Sequence, residues 1–130
     1  AMIMAAMGRT PDYINEKIKT EDFENYLKAF DKEYSSTFTL EDYEYQLKAI
    51  MNHDISKEFN GSMEKAAKSI NAKLFLIISE TDLLVNPTET KKFAELTQAK
   101  TLLLNNNCGH LAVSCEIDKC REEIAEFLIE

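Results

Sequence analysis

Two residues carry the plainest chemistry in this sequence. Asp82 lies in Ser79-Glu80-Thr81-Asp82-Leu83-Leu84-Val85-Asn86-Pro87, and His110 closes Asn105-Asn106-Asn107-Cys108-Gly109-His110. Each follows a short apolar run, Leu74-Phe75-Leu76-Ile77-Ile78 before the acid and Leu102-Leu103-Leu104 before the histidine. If both runs are neighbouring strands of a parallel sheet, the acid and the His sit side by side on its C-terminal edge, where α/β proteins gather ligands and catalytic groups. A carboxylate accepting the Nδ1–H would hold the imidazole in one tautomer and stabilise the imidazolium formed when His takes a proton from a nucleophile. The same residues also admit a plainer reading, with Asp82 capping the turn that follows it and His110 a polar loop residue. Spacing alone leaves both readings open.

The elements that must position the pair follow from periodicity. The run 74–78 has no polar alternation, as expected of a strand buried on both faces of a parallel sheet, and 102–104 is a shorter run of the same kind. Between them Pro87 can open a helix, and Thr88 to Gln98 carries Phe93 and Leu96 toward a core. After the second run Ile117, Cys120, Ile124, Phe127 and Leu128 repeat at helical spacing, behind an acidic start at Glu116 and Asp118. Strand, helix, strand, helix with a right-handed crossover makes the two strands parallel.

Upstream of residue 72 no strand pattern appears. Phe23, Tyr26, Leu27 and Phe30 form one amphipathic set, Leu40, Tyr43, Leu47, Ile50 and Met51 a second, and Phe59, Met63, Ala66, Ala67 and Ile70 a third. Thr20 with Glu21 and Asp22, and Thr39 with Asp42, are the expected helix starts. The chain thus divides near Asn71 into a helical region, residues 1–71, and a strand-helix-strand-helix region, residues 72–130. Two parallel strands are too few for a stable open sheet, so further strands are expected from a longer chain or from association of copies.

Composition narrows the function classes. The chain has 130 residues, 15 Lys and Arg against 23 Asp and Glu, and a formal charge of −8. Such an acidic balance argues against nucleic-acid binding, which draws its affinity from clustered cations. Only three glycines occur, Gly8, Gly61 and Gly109. Their wide separation excludes the dinucleotide fingerprint, the P-loop and the G-x-S-x-G nucleophile elbow. The apolar start at Met2 to Met7 is too short to span a bilayer and lacks the charged lead of a secretory signal. Ala1 ahead of Met2 reads as a remnant of a cleaved tag, and Met2, Met4 and Met7 read as an apolar helix packing on a sheet. Three cysteines, Cys108, Cys115 and Cys120, suit reduced thiols in a cytoplasmic protein. They offer no C-x-x-C pair for a metal with His110, and Cys108 and His110, two apart in a loop, are poorly placed to converge as a nucleophile pair. His53-Asp54 ends a helix, where a His suits the dipole.

The segments 78–87 and 107–110 resemble the last third of an α/β-hydrolase fold enzyme, whose triad runs in the order Ser, acid, His. More narrowly, the chain resembles the homoserine O-acetyltransferase group. Supporting stretches are Phe23-Glu24-Asn25-Tyr26-Leu27 and Tyr43-Glu44-Tyr45-Gln46-Leu47-Lys48-Ala49-Ile50-Met51-Asn52-His53-Asp54. The resemblance implies a partial α/β-hydrolase fold, with residues 1–71 as a helical lid and Asp82 and His110 as triad acid and base. The group's Ser lies upstream on a glycine-flanked elbow, absent from these residues, so the isolated chain is expected to be inactive.

Two departures bear on substrate. The group has Ala-Arg seven residues before a Tyr and an Asp directly after the catalytic His, which together grip an amino acid's charges. Here Tyr13, a candidate substrate contact, is preceded at that spacing by Ala6, and Leu111 follows His110. Apolar side chains cannot hold a zwitterion. Arg9 is the nearby cation that could stand in.

The implied parent is an acyltransferase or hydrolase acting on an ester or thioester. It needs no cofactor, with acyl-coenzyme A a candidate substrate. It is expected to take a small acyl substrate, to bind neither nucleic acid nor membrane, and to form a homo-oligomer or join its missing N-terminal half. The alternative is a non-catalytic acidic α/β module that self-associates through its strand edge.

Overall fold

The computed structural model describes residues 2–129; the side chains of residues 2–4, 34, 35 and 37 lie outside the described set, and with them the expected packing of Met2 and Met4. Five helices come first: α1 (Met2–Met7), α2 (Pro11–Lys17), α3 (Phe23–Thr37), α4 (Leu40–Asn52) and α5 (Met63–Lys68). Then follow β1 (Phe75–Ser79), α6 (Pro87–Thr97), β2 (Lys100–Leu104), α7 (Ala112–Cys115) and α8 (Ile117–Ile129). The fold is mostly helical with two parallel strands, compatible with part of an α/β fold.

Local signals explain most boundaries. Thr39 and Asp42 form a reciprocal capping box at the start of α4. Asn86 Oδ1 accepts the Thr88 N–H at 2.9 Å, with Pro87 in the first turn of α6. Two expectations need correction. Thr20 does not cap α3, because residues 20–22 form a single 3₁₀ turn that tightens into Phe23. The periodic set from Phe59 to Ile70 is not one helix, because Asn60 and Gly61 both take left-handed backbone, at φ of 55° and 79°. Ser62 then caps a fresh start, accepting the Lys65 N–H.

The strands pair in parallel from Phe75 opposite Lys100 to Ser79 opposite Leu104, with α6 as the crossover. One face of this pair is closed. Leu102 and Leu104 pack with Ala112 and Cys120, joined by Phe75 and Ile77, and the Phe75 ring lies 5.4 Å from that of Phe127 on α8. On the other face Ile78 is buried beside α6. There Thr101, Leu103 and Ala94 border an open groove of about 440 Å³. The expectation of a strand covered on both faces is therefore met only in part, since residues 75–77 are half-buried. A two-stranded sheet leaves each strand one edge without a strand neighbour among the described residues.

The cysteines depart from expectation as well. Cys108 and Cys115 form a disulfide, and only Cys120 is a free, buried thiol. The expectation of three thiols rested on their odd number and reading of compartment. The short helix α7 returns Cys115 toward Cys108, with a Cα–Cα separation of 6.5 Å inside the range a bridge requires. Among the described residues no helix is long and apolar enough to cross a membrane.

Candidate functional site

Both strands run out at the same level, since the Glu80 N–H donates to the Leu104 carbonyl at 3.0 Å, one step past the last paired residues. The loops beyond them therefore start as neighbours. In the first loop Asp82 folds back on its own chain. Its Oδ1 accepts the N–H groups of Leu84 and Val85, both at 2.8 Å, in the local turn that Asp side chains favour. That fixes the carboxylate plane and leaves Oδ2 free to face outward. The Nδ1 of His110 lies 2.9 Å from Oδ2.

One Asp82 oxygen caps the turn that follows it, while the other meets the histidine. Burial pushes the Asp82 carboxyl up, but the Val85 N–H, the His110 ring, the Leu84 N–H and the His110 charge together hold it below its ordinary value. An ionised carboxylate only accepts hydrogen bonds, so Nδ1 carries the proton in this pair. Nε2 is then the ring nitrogen left to accept a proton whenever the ring is uncharged, and the His110 side chain is 35% exposed against 12% for Asp82.

The loop that carries His110 is held from several sides. Ser79, the last residue of β1, donates its hydroxyl to the Gly109 carbonyl at 2.8 Å. Thr81 donates to the Asn106 carbonyl at 2.7 Å. The Asn106 side chain accepts the Cys108 N–H and donates to Glu116 at the start of α8. From the N-terminal region, Thr10 donates both its hydroxyl, at 2.7 Å, and its N–H, at 3.3 Å, to the Asn107 carbonyl. Thr10 is also the cap of α2, so the helix start and the loop clamp share one buried residue.

Gly109 is required where it stands. Its φ is +58°, and a Cβ there would meet the Arg9 and Thr10 backbone at 3.1 to 3.2 Å. The Arg9 guanidinium stacks on the Tyr13 ring at 4.6 Å and donates to the Cys115 sulfur at 3.3 Å. Tyr13 is thus connected to the His110 loop through Arg9. Beside it the Tyr26 hydroxyl donates to the Ala5 carbonyl. Burial raises the Tyr26 pKa; Arg9 opposes that and Tyr13 adds to it.

His53 and Asp54 lie at the end of α4. Asp54 is spent on Ser56, accepting both its N–H and its hydroxyl. Among the described residues there is no group of three His, Cys, Asp or Glu able to hold a metal. The clamping roles of Ser79, Thr81, Asn106 and Thr10 went unseen in the sequence reading. The polar Ser79-x-Thr81 step at the strand end was the available signal for two of them.

A homoserine O-acetyltransferase from Methanococcus vannielii is 28% identical over 112 residues, covering 82% of this chain. The chain is distantly similar to that enzyme. It spans only 22% of the enzyme's length, about a fifth. No family model matches the chain, and no solved structure matches it.

Proposed function

We propose that this chain contributes the acid, the base and a helical lid to an acyl-transfer site of an α/β-hydrolase-fold acyltransferase or hydrolase. The hydroxyl nucleophile would be supplied by further polypeptide. The observation that carries the reading is the 2.9 Å contact between His110 Nδ1 and an Asp82 carboxylate already fixed by two backbone N–H groups, at the ends of adjacent parallel strands. The distant similarity to a homoserine O-acetyltransferase supports the acyl-transfer class.

In this reading His110 Nε2 takes the proton of the nucleophile as its oxygen attacks the acyl carbon of an ester or thioester. The leaving alcohol or thiol departs with that proton, and an acyl-enzyme remains. His110 then deprotonates the acceptor as it attacks the acyl-enzyme, and gives that proton to the departing enzyme oxygen, which restores the hydroxyl nucleophile and the neutral imidazole. Asp82 stays ionised throughout and stabilises the imidazolium. Tyr13, with the Arg9 guanidinium stacked on its ring, would contact the substrate. Ala6 and Leu111 stand at the sequence positions where the resembled group carries its charged grips and offer no charge, which disfavours a free amino acid as acceptor. No cofactor enters these steps, and acyl-coenzyme A fits as a donor by its thioester.

The test is an acyl-ester assay in two arms. The 130-residue chain alone is expected to show no turnover; turnover abolished by His110→Ala would show that the nucleophile lies within the chain. With the nucleophile-bearing polypeptide present, His110→Ala is expected to reduce kcat by about 10³-fold or more. Full activity in that variant would remove the proposal.

A second reading, a non-catalytic module that self-associates through its strand edge, draws on the edge that each strand leaves without a strand neighbour among the described residues. Native mass measurement decides it, because a clean monomer excludes it.

A further inference from the structure

The Cys108–Cys115 disulfide closes a ring around His110 over a sequence separation of 7. Its two sulfurs sit in unlike surroundings. Cys108 is buried at 6% exposure, whereas Cys115 is exposed at the end of α7. Arg9 holds its cation against the Cys115 sulfur at 3.3 Å and is itself kept in place by stacking on Tyr13. A cation beside a cysteine favours the thiolate, the form that exchanges. The loop has other ties on the N-terminal side of His110 and at Gly109, from Thr10, Thr81 and Ser79. Opening the bridge therefore removes one tether on the far side of His110 and leaves the loop's remaining anchors in place.

We propose that Cys108 and Cys115 form a reversible thiol–disulfide couple, with Cys115 as the exchanging sulfur and a small-molecule thiol as its partner, that sets how firmly His110 is held on Asp82. In reduction an external thiolate attacks the Cys115 sulfur. The protein S–S bond breaks, a mixed disulfide forms at Cys115, and Cys108 leaves as a thiolate that takes a proton from water. A second external thiolate attacks the outer sulfur of the mixed disulfide and releases Cys115 as a thiolate beside Arg9. Two external thiols are oxidised to their disulfide and give up two protons in all; the protein bridge gains two electrons, Cys108 ends protonated and Cys115 remains a thiolate, so one proton is left in solution. Oxidation retraces these steps, with Cys115 attacking the external disulfide and Cys108 resolving it. The couple is independent of the acyl-transfer reading; only its consequence for turnover rests on that reading.

The 130-residue chain equilibrated with reduced and oxidised glutathione at varied ratios tests this, with thiols counted by alkylation and mass, and His110 followed by nitrogen NMR. Both protein states are expected across the series. Reduction is expected to speed solvent exchange of the His110 Nδ1–H roughly ten-fold. Arg9→Ala is expected to slow oxidation of the reduced chain about five-fold at pH 7. The difference should vanish near pH 10, where the thiol ionises without help, and Arg9→Lys should restore most of the rate. Glutathione should be trapped on Cys115 in Cys108→Ser. If that variant does not fold, alkylation of the reduced wild-type chain should mark Cys115 faster than Cys108.

A bridge that stays closed or open at every ratio overturns the proposal. So do a failure of Cys115 to trap glutathione in folded Cys108→Ser, faster alkylation of Cys108 than of Cys115 in the reduced wild-type chain, an Arg9→Ala rate deficit independent of pH, and an Nδ1–H exchange rate indifferent to redox state. None of these readouts requires acyl transfer, so failure here and failure of the functional reading are separately visible.

Discussion

The regions on either side of residue 71 carry the same kind of apolar periodicity and make different use of it. In the later region Leu104 and Ala112 are fully buried, and Cys120 is 1% exposed. In α4 the equally periodic Leu40, Leu47 and Met51 are 88%, 59% and 83% exposed. The helices of the earlier region bury mainly small residues, Ala5, Ala66 and Ala67. A period shows which side chains share a face; whether that face is covered depends on having a broad surface opposite, and here only the paired strands supply one. The site follows the same division. Asp82 and His110 stand in the loops just past the strand ends, while the earlier region reaches the His110 loop through Arg9 and Thr10, with Tyr13 stacked on Arg9.

The sharpest way to break this comparison is Leu104→Ala, expected to cost about 3 kcal/mol of unfolding free energy in denaturant titration, because it empties the core that Leu104 forms with Leu102, Ala112 and Cys120. A cost near zero would mean that the strand pair is not the stabilising centre. Next come the two left-handed glycines, one in each region. Gly109→Ala should cost about 2 kcal/mol, combining strained backbone with a clash against Arg9 and Thr10. Gly61→Ala meets nothing within 4 Å and should cost about 1 kcal/mol from backbone alone.

Of similar size is Asp82→Asn, expected to lose about 1 kcal/mol at pH 7. The carboxyl is held lower in the folded chain than in the unfolded one, so its contribution is full above the ordinary carboxylate value of about 4. That contribution is lost as pH falls through the depressed folded value. Stability measured against pH should therefore show wild type and Asp82→Asn converging in acid; parallel curves would detach Asp82 from the stability of the loop. The smallest effect belongs to Leu47→Ala, expected within about 0.5 kcal/mol. A loss comparable to that of Leu104→Ala would show that the α4 face is covered in solution.

How much was legible in advance varies by residue. The helices 40–52, 87–97 and 117–129 and both strands followed from period, caps and Pro87, because those signals act within a few residues of themselves. The break at Asn60-Gly61 was hidden, since Phe59 and Met63 stand at helical spacing whether or not the chain between them is helical. The adjacency of Asp82 and His110 was readable because parallel topology puts consecutive strand ends on one edge.

By itself, then, the sequence determined the strand-helix-strand-helix order and the two loops that bear the acid and the base. Only the tertiary structure decided the orientation of the pair, the Cys108–Cys115 bridge and the docking of Arg9 and Thr10 on the His110 loop. Each of these depends on angles and distances between segments far apart in the chain, and a one-dimensional pattern carries no such distances.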